Sequence, residues 1–150
     1  MFRFEKSIVI SKTPHDVFEF VANPANAPAW RFDVGKVKFL TLPLKRDDII
    51  QEVDPKDSVV SLVRVIDVVP EERLLFEVIR GGMYLPRREL IFRDEKGHTV
   101  LTIKISAKSD GFSRWMEPAS SQDYSLKWEN YLFSLKRVLE AGEDKKVDAN

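Results

Sequence analysis

Apolar and polar residues alternate from the first positions of the chain. Phe4, Lys6, Ile8 and Ile10 share one side and Arg3, Glu5, Ser7 and Val9 the other, which predicts a strand over 2–10 with one mostly apolar face. Ser11-Lys12-Thr13-Pro14 is a helix-start signal: Thr13 offers an N-cap oxygen and Pro14 a first helical residue whose φ is already set. Val17, Phe18 and Val21 then predict a short amphipathic helix to about Ala22, broken at Asn23-Pro24. Residues 25–30 read as a second short helix or turn, interrupted at Pro28.

From Val34 onward the texture becomes that of strands, predicted over 37–42, 48–53, 58–69, 73–80, 85–94 and 98–108. Gly81-Gly82 and Asp94-Glu95-Lys96-Gly97 are turn signals, and all the separators are short, so consecutive strands are expected to pair antiparallel as a meander. A loop over 109–118 leads to a long helix. Its apolar positions, Tyr124, Trp128, Tyr131, Leu132, Leu135, Val138 and Leu139, follow a helical stripe, with Lys127, Glu129, Lys136, Arg137 and Glu140 on the other face. Gly142 is expected to end it, leaving 143–150 as a polar tail.

This order predicts an α+β domain over 1–142. A seven-stranded curved antiparallel sheet is wrapped around a long C-terminal helix, with two short helices after the first strand. The helix has an aromatic stripe to bury, and the concave sheet face is the available partner. Space between the two, where large side chains do not fill it, is where a ligand would sit.

Two patches resemble a known superfamily. One is Ile8-Val9-Ile10, Pro14, Val17-Phe18, Val21, Asn23-Pro24 and Trp30; the other is Trp128, Tyr131-Leu132, Leu135-Lys136 and Leu139-Glu140 in the closing helix. With the element order, they make residues 2 to about 141 similar to the START-like helix-grip (SRPBCC) superfamily, which includes polyketide cyclase/dehydrase and lipid-transport proteins. The resemblance implies the helix-grip fold. It implies no single activity, because that superfamily holds lipid and hormone carriers, aromatic polyketide cyclases and activators of a heat-shock ATPase, with no shared catalytic set to carry over.

Composition narrows the function classes. With 24 basic and 24 acidic residues among 150, the chain has no net charge and lacks the basic excess that nucleic-acid binding needs. Zero cysteines exclude disulfides, thiolate metal sites and a cysteine nucleophile, and fit a reducing compartment. The alternating start is unlike a signal peptide, and no apolar run approaches the roughly 20 residues of a membrane span. A cytoplasmic single-domain protein is expected, with no membrane insertion; a homodimer stays open.

Standard chemistry is not encoded. The two histidines, His15 and His98, fall in a first helical turn and after a hairpin turn, where solvated side chains are the rule. No convergent set of metal ligands, nucleophile elbow or phosphate-cradling glycine loop is present, so neither metal nor cofactor is expected. Ser120-Ser121 read as caps of the long helix.

Arginines on apolar strand faces carry more information. Arg64 shares a face with Val60, Leu62, Ile66 and Val68; Arg80 with Leu74, Phe76 and Val78; Arg88 with Leu90 and Phe92. An inward guanidinium needs a carboxylate or an anionic ligand. Arg80 and Arg88 are expected at the sheet rim, reaching water, while Arg64 fits either placement. Glu77 and Glu89 read as solvent-facing.

Trp30, Phe39, Phe76, Phe92, Tyr124, Trp128 and Tyr131 are expected between helix and sheet, as core filling or as the lining of a mostly apolar site with a few polar contacts. Phe112, Trp115 and Met116 in the pre-helix loop read as a gate or roof over that space, and Met83-Tyr84-Leu85 as a second apolar tip near it. The expected ligand contacts are therefore Trp30, Phe39, Arg64, Phe76, Phe92, Trp115, Met116, Tyr124, Trp128 and Tyr131. The leading reading is a non-catalytic binder or carrier of a small hydrophobic molecule. A cyclase or dehydratase and a protein-interaction module with a filled cavity are the alternatives.

Overall fold

The computed structural model describes residues 2–81, 85–107 and 117–148, with side chains over 3–81, 85–107 and 122–141. Its elements are β1 (Phe2–Ile10), α1 (Pro14–Val21), a 3-10 helix (Pro24–Ala29), β2 (Lys36–Lys38), β3 (Ile49–Val53), β4 (Val59–Val69), β5 (Arg73–Arg80), β6 (Arg87–Glu95), β7 (His98–Ala107) and α2 (Glu117–Asp148). The strands form one antiparallel sheet in the order β1-β7-β6-β5-β4-β3-β2: the expected meander, with β1 joined to β7 at the far edge.

Local signals act as read. The Thr13 side chain accepts from the Asp16 amide at the start of α1, and Asn23 does the same for Ala25 at the 3-10 helix. Ile10, Val17, Phe18, Val21, Leu74, Leu90, Leu101, Ile103, Trp128, Tyr131 and Leu135 belong to one buried cluster beneath the helices. A smaller one, Ile50, Val63 and Val78 with Val37, Leu40 and Phe76 against it, sits on the β2–β5 half of the sheet. Lys136 latches α2 to β1 by donating to the Val9 carbonyl at 2.6 Å, and Glu140 accepts from the Ser11 amide.

Three expectations change. First, β2 stops at Lys38 because Phe39 takes φ +62°, which a strand cannot continue, and the run expected to reach residue 42 turns away. Second, the inward face of the first half of β4 is Ser61, Val63 and Val65, not the set containing Arg64. Both faces of this strand are apolar, so alternation alone cannot choose between them; a register shift between Val65 and Asp67 then returns Val68 to the core. Third, α2 is longer than expected at both ends. Pro118 is tolerated in a first turn, so the helix begins at Glu117, and Ser120 and Ser121 lie inside it rather than capping it. Gly142 does not end it, since a mid-helix glycine weakens a helix by about 1 kcal/mol without forbidding it.

Candidate functional site

A cavity lies under the 3-10 helix, between α1, the inner face of β3–β6 and α2. Apolar groups line most of it, among them Val21, Trp30, Ile50, Val63, Phe76, Leu90 and Trp128, and three charged side chains complete it: Arg31, Glu52 and Arg88. The volume open to the centres of water molecules is about 40 Å³. At roughly 10–15 Å³ per water, that is space for about three.

The charged residues come from three places. Arg31 follows the 3-10 helix, its amide bonded to the Ala27 carbonyl at 2.8 Å. Glu52 stands next to Ile50 on the inward face of β3, directly across from Ser61 of β4. Arg88 stands on β6 opposite Phe76 and Ile105. All three are nearly sealed from solvent: Arg31 is 4%, Glu52 3% and Arg88 7% exposed.

Glu52 is the hub. Arg31 Nη1 donates to Oε2 at 2.6 Å and Nη2 to Oε1 at 3.3 Å. Arg88 Nη1 donates to both oxygens, at 3.0 and 3.2 Å, and Nη2 to Oε1 at 3.2 Å. Ser61 Oγ adds a bond of 2.6 Å to Oε1. Burial works to raise the Glu52 pKa, but Arg31 and Arg88 outweigh it and hold the carboxyl well below the usual range. The two guanidinium carbons lie 5.1 and 5.4 Å from the centre of the Trp128 ring, so α2 caps the cluster with a π-face.

A second layer surrounds Arg31. Asp33 accepts from Arg31 Nη2 at 3.3 Å and stands 3.5 Å from the Lys127 ammonium of α2. Burial pushes its pKa up, and Arg31 and Lys127 more than reverse that, so it stays a carboxylate. The Tyr131 hydroxyl is pushed up, first by burial and then by the Asp33 charge beside it, so it stays protonated. Tyr131 OH and Asp33 Oδ1 influence each other, yet neither forms a hydrogen bond of ordinary geometry.

The expected site residues divide. Trp30, Phe76 and Trp128 line the cavity. Phe92 packs edge-on against Phe18 at 5.3 Å in the main core, and Tyr131 lies behind Trp128 at 5.1 Å. Tyr124 is half-buried against Phe4 at the edge of α2. Phe39 is 72% exposed, because its left-handed backbone turns it away from the sheet, and Arg64 is exposed on the outer face of β4. Arg80 is exposed as expected, whereas Arg88 is in the core rather than at the rim, because Glu52 supplies the carboxylate that an inward guanidinium needs. Trp115 and Met116, and the tip residues Met83 and Tyr84, lie outside the described residues.

Glu52 and Arg31 escaped the sequence reading. Glu52 had a usable signal, a carboxylate in phase with Ile50 on a predicted strand; Arg31, in an irregular segment, had none.

A larger and more open groove of about 690 Å³ lies at the surface near Phe18, Ala22, Leu44, Lys45, Arg46 and Asp67. Among the described residues, no cluster of His, Cys, Asp or Glu is placed to hold a metal ion, and no helix is long and apolar enough to cross a membrane.

A curled antiparallel sheet gripping a long C-terminal helix, with short helices after the first strand, is the START-like helix-grip fold. A START superfamily protein from Mycobacterium smegmatis is similar over 93% of this chain and 97% of its own, at 11% identity and TM-score 0.73. A protein from Thermus thermophilus is similar over 94% and 99%, at 13% identity and TM-score 0.74. DynU16, from the dynemicin biosynthetic locus, matches 93% of this chain with 48% of its own length, at 19% identity and TM-score 0.68. No protein-family model and no curated protein sequence matches the chain.

Proposed function

We propose that the protein binds a small, mostly hydrophobic molecule in the cavity between α2 and the sheet, without transforming it. The observation that carries this reading is the buried Arg31–Glu52–Arg88 cluster set into the wall of an otherwise apolar cavity. Buried ion clusters contribute little net stability, and well-packed apolar residues commonly replace them at no loss. A fold that places one beside a cavity has the composition of a ligand site: apolar walls and a few fixed polar groups.

The titration of the site favours binding over catalysis. A general acid–base group works best with a pKa near the working pH. Glu52 and Asp33 are held as carboxylates and Tyr131 as a neutral phenol, each pushed away from that range. The likeness to DynU16, from a biosynthetic locus, keeps a biosynthetic role as a competitor, but these groups give a cyclase-type reaction no acid or base.

A protein-interaction role is the second reading. The small cavity favours it, as do the exposed Phe32, Leu126 and Phe133. Native mass spectrometry of freshly purified protein, followed by solvent extraction, separates the two. Extra mass that disappears on denaturation is the expected result; a bare mass after gentle handling overturns the carrier reading in favour of the interaction role.

A further inference from the structure

We propose that the cavity selects ligands bearing a carboxylate or an equivalent anionic oxygen group, taken up by Arg31 and Arg88. This rests on the ligand-binding reading above and names the ligand class it would favour.

The first argument is charge. Arg31 and Arg88 share one carboxylate, Glu52. Asp33 gives Arg31 a second, but Asp33 is itself divided between Arg31 and Lys127. At the cavity wall itself stand two cations, Arg31 and Arg88, and one anion, Glu52, while Asp33 and the part-exposed Lys127 lie behind the wall and offset each other, so the lining is one negative charge short of balance. In a low-dielectric setting such a deficit attracts an anion strongly.

The second argument is donors. The bonds to Glu52 and Asp33 use the Nη groups of both arginines. The Nε–H groups of Arg31 and Arg88 are both buried without a hydrogen-bond partner. An unpaired buried donor is a standing penalty that a suitable acceptor removes. On Arg88 the Nε–H and the second Nη2 hydrogen are left as a planar fork, which matches a carboxylate better than it matches a carbonyl or hydroxyl. On Arg31 both Nη2 hydrogens go to Glu52 and Asp33, and Nε–H is the spare donor.

The third argument is space and rigidity. Both arginines line the cavity, and its room for about three waters equals the three heavy atoms of a carboxylate group. The guanidiniums are pinned between Glu52 and the Trp128 ring, so little ordering is left to do when a ligand arrives. That room takes the head group alone, and the hydrocarbon part of the ligand would enter by parting Phe76, Leu90 and Ile50, which line the same space. An anionic preference anticipated at Arg64 thus belongs to Arg31 and Arg88, which face inward where Arg64 does not.

The test compares matched probes, benzoate against benzamide and hexanoate against hexanol, titrated into the full chain at about pH 7 and followed by two-dimensional NMR. Each acid is expected to bind at least about tenfold more tightly than its neutral partner, the low end for a hydrogen bond to a charged group. Arg88→Met is expected to bring that ratio to within about threefold of unity, and the exposed Arg93→Met to leave it unchanged. Where Arg88→Met does not fold, Arg88→Lys keeps the charge without the fork and is expected to lower the ratio several-fold. Equal binding of acid and neutral probe overturns the anion preference while leaving the ligand-binding reading intact. A preference that survives both Arg88 variants also overturns it, since recognition then lies elsewhere. Failure of every probe to bind at millimolar concentration overturns both.

Discussion

Arg88 on β6 and Glu52 on β3 meet through three hydrogen bonds of 3.0–3.2 Å, although 36 residues separate them in sequence and β4 and β5 lie between them in the sheet. Their side chains converge in the hollow of the curved sheet, beneath Trp128. The contact closes a loop from the irregular segment after the 3-10 helix, through Arg31, to the middle of the sheet.

Breaking the hub is expected to be severe. Glu52→Gln leaves two buried guanidiniums facing a neutral amide, and removing one partner of a buried ion cluster typically costs about 3–5 kcal/mol. The triple variant Arg31→Met, Glu52→Leu, Arg88→Met removes the charges together and is expected to unfold within about 2 kcal/mol of the parent, on either side. Urea unfolding of the three proteins checks both. A Glu52→Gln protein as stable as the parent would show that the cluster is not held as described.

Acid stability follows from the same carboxylates. The folded pKa values of Glu52 and Asp33 lie below their unfolded values, so the stability they supply is complete above about pH 4.3 and declines as pH falls through the folded values. Stability measured from about pH 6 to about pH 2 is expected to fall steeply in the parent and less steeply in Glu52→Gln. Parallel curves would remove Glu52 as a source of the acid sensitivity.

Aromatics of similar appearance in the sequence are expected to behave differently. Phe92→Ala opens the core beside Phe18 and should cost about 3–5 kcal/mol. Phe39→Gly removes an exposed ring and supplies a residue at ease at φ +62°, so stability should hold or rise by a few tenths of a kcal/mol. Arg64→Ala, on the outer face of β4, should stay within about 0.5 kcal/mol of the parent. Thermal unfolding of the three variants is the check, and a large loss at Phe39 would mean that it packs after all.

Gly81 is required by geometry at the end of the β5 strand. Its φ is +108°, and a Cβ there would stand 2.2 Å from the Val60 carbonyl oxygen. Gly81→Ala is expected to cost at least about 2 kcal/mol, since strained backbone and a clash add. Gly97→Ala, also at positive φ but with open space around the new Cβ, should cost about 1 kcal/mol. Chemical denaturation of both tests the ranking, and a reversed order would contradict the close approach of Val60.

The architecture was legible because it is written in local chemistry. Thr13-Pro14 starts α1, Asn23-Pro24 ends it, alternation marks the strands, short turns force antiparallel neighbours, and the Tyr124–Leu139 stripe demands a concave partner. Those signals act within a few residues, so one sequence carries them whole. Local reading failed where a strand is apolar on both faces, as in β4, or where one backbone dihedral reverses a segment, as at Phe39.

What only the tertiary structure decided is the partnership of the charges. By itself the sequence put Arg88 in line with Leu90 and Phe92 and stated the condition for burying it, a carboxylate or an anion within reach. The phase of Glu52 with Ile50 marks it as a carboxylate that could face inward, but nothing local pairs it with Arg88 or makes Arg31 its second partner. The choice depends on how far the sheet curls and where the 3-10 helix crosses it. Both are set by the summed packing of side chains distant in sequence, not by the propensities of any one segment.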